Sequence, residues 1–162
     1  MDTDRQLRAQ LVALLRDGNA HMPFAEAVAD FPDDKINARP RNVEYTFWHL
    51  LEHLRLTQLD ILEYITNSGY QEGEWPRDYW PAPDAEATRQ QWDDTIASFS
   101  RDRDQLIAIV SDESTDLFAT VPSSNEHTIL REVLIVADHN AYHIGELAIL
   151  RQTENAWGPR HT

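Results

Sequence analysis

The sequence predicts an all-α protein built as a four-helix bundle, with a short extra helix near residues 23–31. Four segments carry apolar residues at the three- and four-residue spacing of one helix face. The chain has 5 Gly against 8 Pro, which is sparse glycine for a β protein that needs many tight turns. Its 162 residues, of which 41% are hydrophobic, suit a single folded domain spanning residues 1–162.

The first two helices are predicted from their end signals. Thr3 and Gln6 fit a capping box at the start of the first helix, and Gly18 is placed to end it. Pro23 then precedes a short helix over residues 24–30, because proline is favoured at helix starts.

The three remaining long helices are predicted in the same way. The second long helix covers residues 44–67, and its apolar stripe includes Phe47, Leu50 and Leu54. Asp84 is the predicted N-cap of the third, which runs to about residue 110. Thr128 caps the last, which runs to about residue 152, and a short extended piece is expected at residues 117–121.

Composition excludes several classes of function. The formal net charge is −14, so a nucleic-acid backbone or an anionic membrane surface would be repelled. No apolar run reaches the roughly 20 residues of a membrane span, and the acidic start Met1–Asp4 lacks the basic region of a signal peptide. The sequence therefore predicts a cytoplasmic protein. Because there is no Cys, any metal site must use His, Asp or Glu.

Two pairs of histidines at a spacing of four residues are the main functional signal. Residues four apart lie on one face of a helix, so His139 and His143 point the same way and suit a divalent metal. On a helical wheel His53 lies about 120° from the centre of its apolar stripe and His49 about 160° away. His53 is thus predicted to face the bundle interior, and His49 to lie near the surface or behind the site.

Each candidate also has an ordinary structural interpretation. His53, His139 and His143 could be half-buried histidines that bond to Glu or to the backbone instead of to a metal. Asp138 and Glu146 are candidates to orient an imidazole as outer partners, or are simply solvated carboxylates. The sequence indicates no firm role for three further histidines: His21, a candidate for the rim of a pocket, His127, before the last helix, and His161, in the tail.

An aromatic segment at residues 75–81 separates the second and third long helices. Trp75, Tyr79 and Trp80 lie between prolines there, in a long loop of the kind that often carries function. Two uses are open: the aromatics cap the end of the bundle, or they line a substrate pocket above a metal.

Three stretches of the chain together resemble the DinB-like (DinB/YfiT-type) superfamily. They are the Phe-Trp-His-Leu-Leu-Glu-His-Leu-Arg run at residues 47–55, the Ala-Asp-His-Asn-Ala-Tyr-His-Ile-Gly-Glu-Leu run at residues 137–147, and the aromatic segment. The resemblance implies a bundle with down-up-up-down connectivity. It also implies a zinc or nickel ion held by His53, His139 and His143, and a homodimer.

The resemblance leaves the reaction open between several classes. Some relatives are thiol S-transferases that use bacillithiol or mycothiol, and one branch isomerises maleylpyruvate. We expect a metal-dependent enzyme, a thiol S-transferase or a related hydrolase, acting on a small molecule with a low-molecular-weight thiol as a possible co-substrate. His21 and His49 are the candidates for a general base. The alternative is a non-enzymatic, metal-binding stress-response dimer, for which Leu56 is a candidate exposed interface residue.

Overall fold

Every regular secondary-structure element of the described residues is a helix, which confirms the predicted all-α class. The structure is a computed structural model and describes residues 2–158. Within them lie five α-helices and one 3-10 turn at Asp33–Lys35. The helices are α1 (Thr3–Asp17), α2 (Phe24–Val28), α3 (Phe47–Thr66), α4 (Arg89–Ser111) and α5 (Ile129–Thr153). None of the described helices is both long enough and apolar enough to cross a membrane.

The N-cap of helix α1 lies one residue earlier in the chain than the sequence predicted. Asp2 is the N-cap, and its carboxylate accepts a hydrogen bond from the Asp4 backbone N–H at 3.2 Å. The predicted capping box of Thr3 and Gln6 is therefore wrong, because Thr3 already lies inside the helix. Gly18 ends the helix as predicted, with φ +67, a left-handed conformation that glycine adopts without strain.

Helices α2 and α3 are each shorter than predicted. Helix α2 ends at Val28, two residues before the predicted end. Helix α3 begins at Phe47, because the Thr46 side chain caps it by accepting the His49 backbone N–H at 3.1 Å. The prediction started this helix at position 44, but residues 44 and 45 lie ahead of that cap.

Thr88, and not Asp84, begins α4. The Thr88 hydroxyl accepts the backbone N–H of Gln91, and the Gln91 side chain accepts the backbone N–H of Thr88 at 2.8 Å, which completes a capping box. This reciprocal pair satisfies two backbone donors at once. The predicted N-cap Asp84 is an exposed residue of the preceding loop.

Replacing Thr88 with Ala is expected to lower the free energy of unfolding by about 1 kcal/mol, because the first turn of α4 loses its cap. Denaturant unfolding monitored by circular dichroism measures the change. Asp84→Ala is the matched control and should change stability by less than about 0.5 kcal/mol. An equal loss in both variants would contradict the assignment of the cap.

Helix α5 begins as predicted and ends within one residue of prediction. Thr128 caps it by accepting the Arg131 backbone N–H at 3.2 Å. The extended piece expected at residues 117–121 is reduced to an isolated antiparallel bridge between Thr120 and Thr128, and Leu117 lies in a turn. The reason is local: the Asp116 side chain accepts the Phe118 backbone N–H at 2.9 Å and turns the chain.

Helix α3 packs against α4 and α5, and α1 packs against the same two helices. Their apolar faces form two clusters of buried side chains. One is rich in aromatics, including Phe31, Phe47 and Trp92, and the other is mainly aliphatic. Each large side chain that is fully buried contributes roughly 1.5–3 kcal/mol. The contact of α3 with α5 brings the two histidine-bearing segments together.

Candidate metal centre

His53 of α3 meets His139 and His143 of α5 in one cluster. The ring centroid of His53 lies 5.1 Å from that of His139 and 4.9 Å from that of His143. The centroids of the two α5 rings are 4.5 Å apart. One ligand atom from each residue lies within 4.8 Å of the others. The Nε2 atoms of His53 and His139 are 3.3 Å apart. This arrangement could hold a metal ion.

Each imidazole is fixed by a partner on its Nδ1 atom. His53 Nδ1 donates to the Tyr79 carbonyl at 2.7 Å, because a carbonyl oxygen can only accept. His143 Nδ1 lies 2.7 Å from Glu146 Oε2, again an acceptor. With Nδ1 as the hydrogen-bond donor, the Nε2 atom of each ring is the nitrogen left free to bind a metal.

The third ring is supported by Thr57, one helical turn beyond His53. Thr57 Oγ1 lies 3.3 Å from His139 Nδ1 and donates its own proton to the His53 carbonyl at 2.8 Å. The hydroxyl can therefore accept from Nδ1 of His139. With that hydrogen bond all three rings have the same tautomer.

The chemistry of this donor set fits a cation. Burial lowers the pKa of His53 to about 4 and that of His139 to about 4, and the neighbouring imidazoles contribute in the same direction. Both rings are therefore neutral near pH 7. Lone pairs that converge in a largely buried space repel one another unless a positive charge lies between them.

Glu146 contacts the cluster from outside through His143, and it has a second partner that sequence reasoning missed. The Tyr45 hydroxyl donates to Glu146 Oε1, while the other oxygen accepts from His143. Burial opposes ionisation of Glu146, but these two hydrogen bonds outweigh it and lower its pKa. Burial and the Glu146 contact raise the pKa of Tyr45. A carboxylate hydrogen-bonded to a ligand histidine is the usual outer support of a metal site.

The aromatic loop surrounds His53. Trp80 stacks on the His53 ring at 3.9 Å with an interplanar angle of 7°. Trp75 meets the same ring edge-on at 6.2 Å and is 67% exposed, while Tyr79 supplies the backbone carbonyl already described. The Tyr45 ring packs on Trp80 at 5.1 Å. The loop thus lies next to the cluster, and its use as a pocket wall remains a prediction.

His49 is not at the surface, contrary to the helical-wheel prediction. It is only 2% exposed, and its Nε2 lies 2.8 Å from the Ala85 carbonyl. The wheel assigned that side of α3 to solvent, but the loop before α4 covers it. The imidazole is bonded to this loop and lies outside the group of three histidines.

Other predicted residues also lie apart from the cluster. His21 is half-buried, packs beside Gly18 and has its Nδ1 2.9 Å from the Met22 carbonyl. Asp138 is exposed and lines a separate surface depression, so it does not orient an imidazole. The reason is helix geometry, since neighbours in sequence point about 100° apart.

The two remaining histidines lie elsewhere. His127 contacts the Tyr64 hydroxyl at 3.0 Å, and His161 falls outside the described residues.

Comparison with known proteins gives one result that covers most of the chain. The sequence pattern of the DinB superfamily matches residues 19–147, a range that includes all three clustered histidines. No curated protein and no solved structure shows a significant match. Because the family pattern covers well over half of the sequence, the chain belongs to the DinB superfamily.

Proposed function

We propose that this protein is a metal-dependent enzyme whose zinc or nickel ion is held by His53, His139 and His143. The observation that carries the proposal is the convergence of three imidazoles, each of which has a hydrogen-bond partner on Nδ1 and so keeps Nε2 for an ion. Three protein ligands leave a coordination position for water or substrate, which is typical of catalytic sites and not of closed structural ones. A thiol S-transferase or a related hydrolase fits this arrangement.

An ion in this position would act as a Lewis acid and acidify a coordinated water or thiol. The surrounding residues have separate tasks. Glu146 Oε2 holds the Nδ1 proton of His143 and so makes that imidazole a stronger donor. Trp80 covers one face of His53 and excludes water from it. The substrate would approach past the exposed rings of Trp75 and Tyr142, which contact His53 and His143 edge-on.

The position of Glu146 favours an enzyme over a non-enzymatic metal-binding stress protein. A closed structural site needs a fourth protein ligand, and Glu146 is the carboxylate in contact with the cluster. Its two oxygens are instead bound to His143 and Tyr45. Leu56, the residue considered for a partner interface in that alternative, is half-buried.

We also propose that the helices form the down-up-up-down bundle of the superfamily. The packing of α3 and α1 each against both α4 and α5 supports this arrangement, because it places the four long helices in a ring. Helix α2 and the 3-10 turn then belong to the connection between α1 and α3.

The proposal is tested by loading the metal-free protein with Co²⁺ and recording its visible spectrum. We expect one ion per chain and a spectrum that shifts when bacillithiol, mycothiol or glutathione is added, because a thiolate enters the open position. The same thiols, offered with an electrophilic aryl halide, should give turnover that requires metal. A spectrum that no thiol or other small ligand perturbs would show a closed site and refute the enzymatic proposal.

Replacing Glu146 with Gln is expected to lower zinc affinity roughly 10–100-fold, because the amide no longer provides a charged acceptor for His143 Nδ1. Competition with a chromophoric chelator measures the affinity. Tyr45→Phe removes only the hydroxyl that donates to Glu146, so its effect should be smaller. Glu154→Gln, on an acidic residue just past the end of α5, is the control and should bind zinc like the wild type. Wild-type affinity in Glu146→Gln would contradict the supporting role.

A further inference from the structure

A small cavity lies where the end of α1 and the start of α2 meet α4 and α5. Its walls include Phe24 and Phe99 of the aromatic-rich cluster and Leu15 and Ala137 of the aliphatic one. The cavity is largely enclosed and has a volume of about 10 Å³, which is the room that one water molecule requires. Apolar cavities stay dry, so the polar groups on the wall decide what this one binds.

Asn140 of α5 brings an unpaired acceptor to this wall. It is only 8% exposed, and its Nδ2 donates to Gln58 Oε1 at 3.0 Å. Gln58 Nε2 in turn donates to the Phe99 carbonyl at 2.7 Å, and because a carbonyl can only accept, this contact fixes the direction of the whole chain. Asn140 Oδ1 is left at the other end, buried and with no hydrogen-bond partner within residues 2–158. A buried acceptor of this kind requires a donor.

Two further polar side chains line the same cavity. Arg103 of α4 has a buried Nε–H that finds no acceptor in the described part of the chain, although its Nη2 lies 3.6 Å from Asp104. His21 Nδ1 donates to the Met22 carbonyl at 2.9 Å, so Nε2 of the neutral ring is an acceptor. The ring is held over Gly18, where a Cβ atom would come within 2.5 Å of it. The wall thus offers one donor and two acceptors.

This balance of donors and acceptors favours water over an ion. An anion would accept from Arg103 but would leave Asn140 Oδ1 and His21 Nε2 without a donor. An ammonium ion would satisfy both acceptors but would be repelled by the guanidinium, whose Nε–H it cannot accept. A water molecule accepts one hydrogen bond and donates two, and about three hydrogen bonds are typical of buried water.

We propose that this cavity binds one water molecule, which accepts from Arg103 Nε and donates to Asn140 Oδ1 and His21 Nε2. The water joins α4 and the connection between α1 and α2 to the amide chain of Gln58 and Asn140. That chain links α3 to α5 beside the histidine cluster, because Asn140 directly follows His139. The bound water therefore helps to hold α5 in place at the level of His139. The proposal does not depend on whether the cluster binds metal.

A high-resolution crystal structure of the full chain tests the site directly. We expect one compact peak of electron density within about 2.7–3.2 Å of Arg103 Nε, Asn140 Oδ1 and His21 Nε2. A second crystal soaked in sodium bromide distinguishes water from an anion, because bromide scatters anomalously. We expect no anomalous peak in the cavity.

Oxygen-17 magnetic relaxation dispersion counts long-lived water molecules in solution. Arg103→Met keeps most of the side-chain length but removes the donor, so it should show one long-lived water fewer than the wild type. Arg16→Met is the matched control, because Arg16 lines the same cavity but is exposed, and it should keep the wild-type count. Waters elsewhere in the protein are common to all three samples and cancel in the comparison.

Three results would overturn the proposal. The first is a cavity without a density peak, with Arg103 Nε bonded directly to Asn140 Oδ1 or left unpaired. The second is an anomalous bromide peak, which would assign the cavity to an anion. The third is a water count that Arg103→Met leaves unchanged or that Arg16→Met lowers equally. If Arg103→Met does not fold, the crystal structure of the wild type decides.

Discussion

Replacing His139 with Ala is expected to lower zinc affinity by more than the roughly 100-fold that loss of an outer partner can cause. The variant removes one of three donors and leaves a two-histidine site. It also leaves two converging lone pairs and a void between α3 and α5. His53→Ala and His143→Ala should have effects of the same size, because each ring supplies one nitrogen atom to the cluster.

Metal content and thermal unfolding measure this effect independently. Elemental analysis of protein purified without a nickel column should find about one ion per wild-type chain and almost none in the variants. Zinc at about 1,000 times the wild-type dissociation constant should stabilise the wild type by roughly 4 kcal/mol and the variants by less than about 1.4 kcal/mol. The metal is thus expected to stabilise the fold as well as to serve the reaction.

Two histidines outside the cluster provide matched controls. His127→Ala removes an imidazole that contacts Tyr64, and His49→Gln keeps a donor for the Ala85 carbonyl. Both should retain full metal. His49→Gln is the sharper control, since His49 lies one turn before His53 on α3 and is equally buried. Stoichiometric zinc in His139→Ala, or its loss in His49→Gln, would refute the assigned ligand set.

The grouping of the three histidines could be predicted because it depends on helical periodicity. His139 and His143 share a face through their four-residue spacing, and the wheel placed His53 nearer the interior than His49. The wheel failed for His49 because it describes one helix in isolation. The covering of this residue by Ala85 depends on the path of a loop 36 positions away.

Interactions between distant segments were beyond the sequence pattern. The hydroxyl of Tyr45 meets Glu146 across 101 positions, and nothing near Tyr45 in the sequence marks that contact. Thr57 had a usable signal, since it follows His53 by one helical turn. The start of α4 was misplaced for a different reason. Asp84 and Thr88 are both good N-caps, and only the Gln91 side chain, three residues after Thr88, distinguishes them.

Arg151 shows most clearly how tertiary structure overrides a local expectation. An arginine in the last turn of a helix is ordinarily exposed, yet this one is 0% exposed. Its Nη1 donates to the Ala27 carbonyl at 2.7 Å and its Nη2 to the Ala156 carbonyl at 2.9 Å. The guanidinium also lies 3.8 Å from the Trp157 ring centroid. It therefore joins the end of α5 to α2 and to the segment that follows α5.

Replacing Arg151 with Ala is expected to lower the free energy of unfolding by about 3–5 kcal/mol. The carbonyls of Ala27 and Ala156 lose their hydrogen-bond donor, and a cavity opens beneath Trp157. For a chain of this length the unfolding midpoint should fall by roughly 6–20 °C. Burial already lowers the pKa of Arg151 to about 10, although the charge of Asp30 acts in the opposite direction. The side chain is thus held by its hydrogen bonds and stacking against the cost of desolvating its charge.

Scanning calorimetry of Arg151→Ala, Arg151→Lys and Arg16→Ala separates the contributions. Lysine keeps the charge but lacks the planar fork that spans two carbonyls, so Arg151→Lys should unfold between the wild type and Arg151→Ala. Arg16 is exposed in the last turn of α1, and its replacement should change stability by less than about 0.5 kcal/mol. Helix α5 also carries His139 and His143, but Arg151 lies two turns beyond His143. Arg151→Ala should therefore still bind zinc under conditions in which it remains folded. Equal midpoints for Arg151→Ala and Arg16→Ala would show that the buried hydrogen bonds contribute nothing beyond those of an exposed side chain.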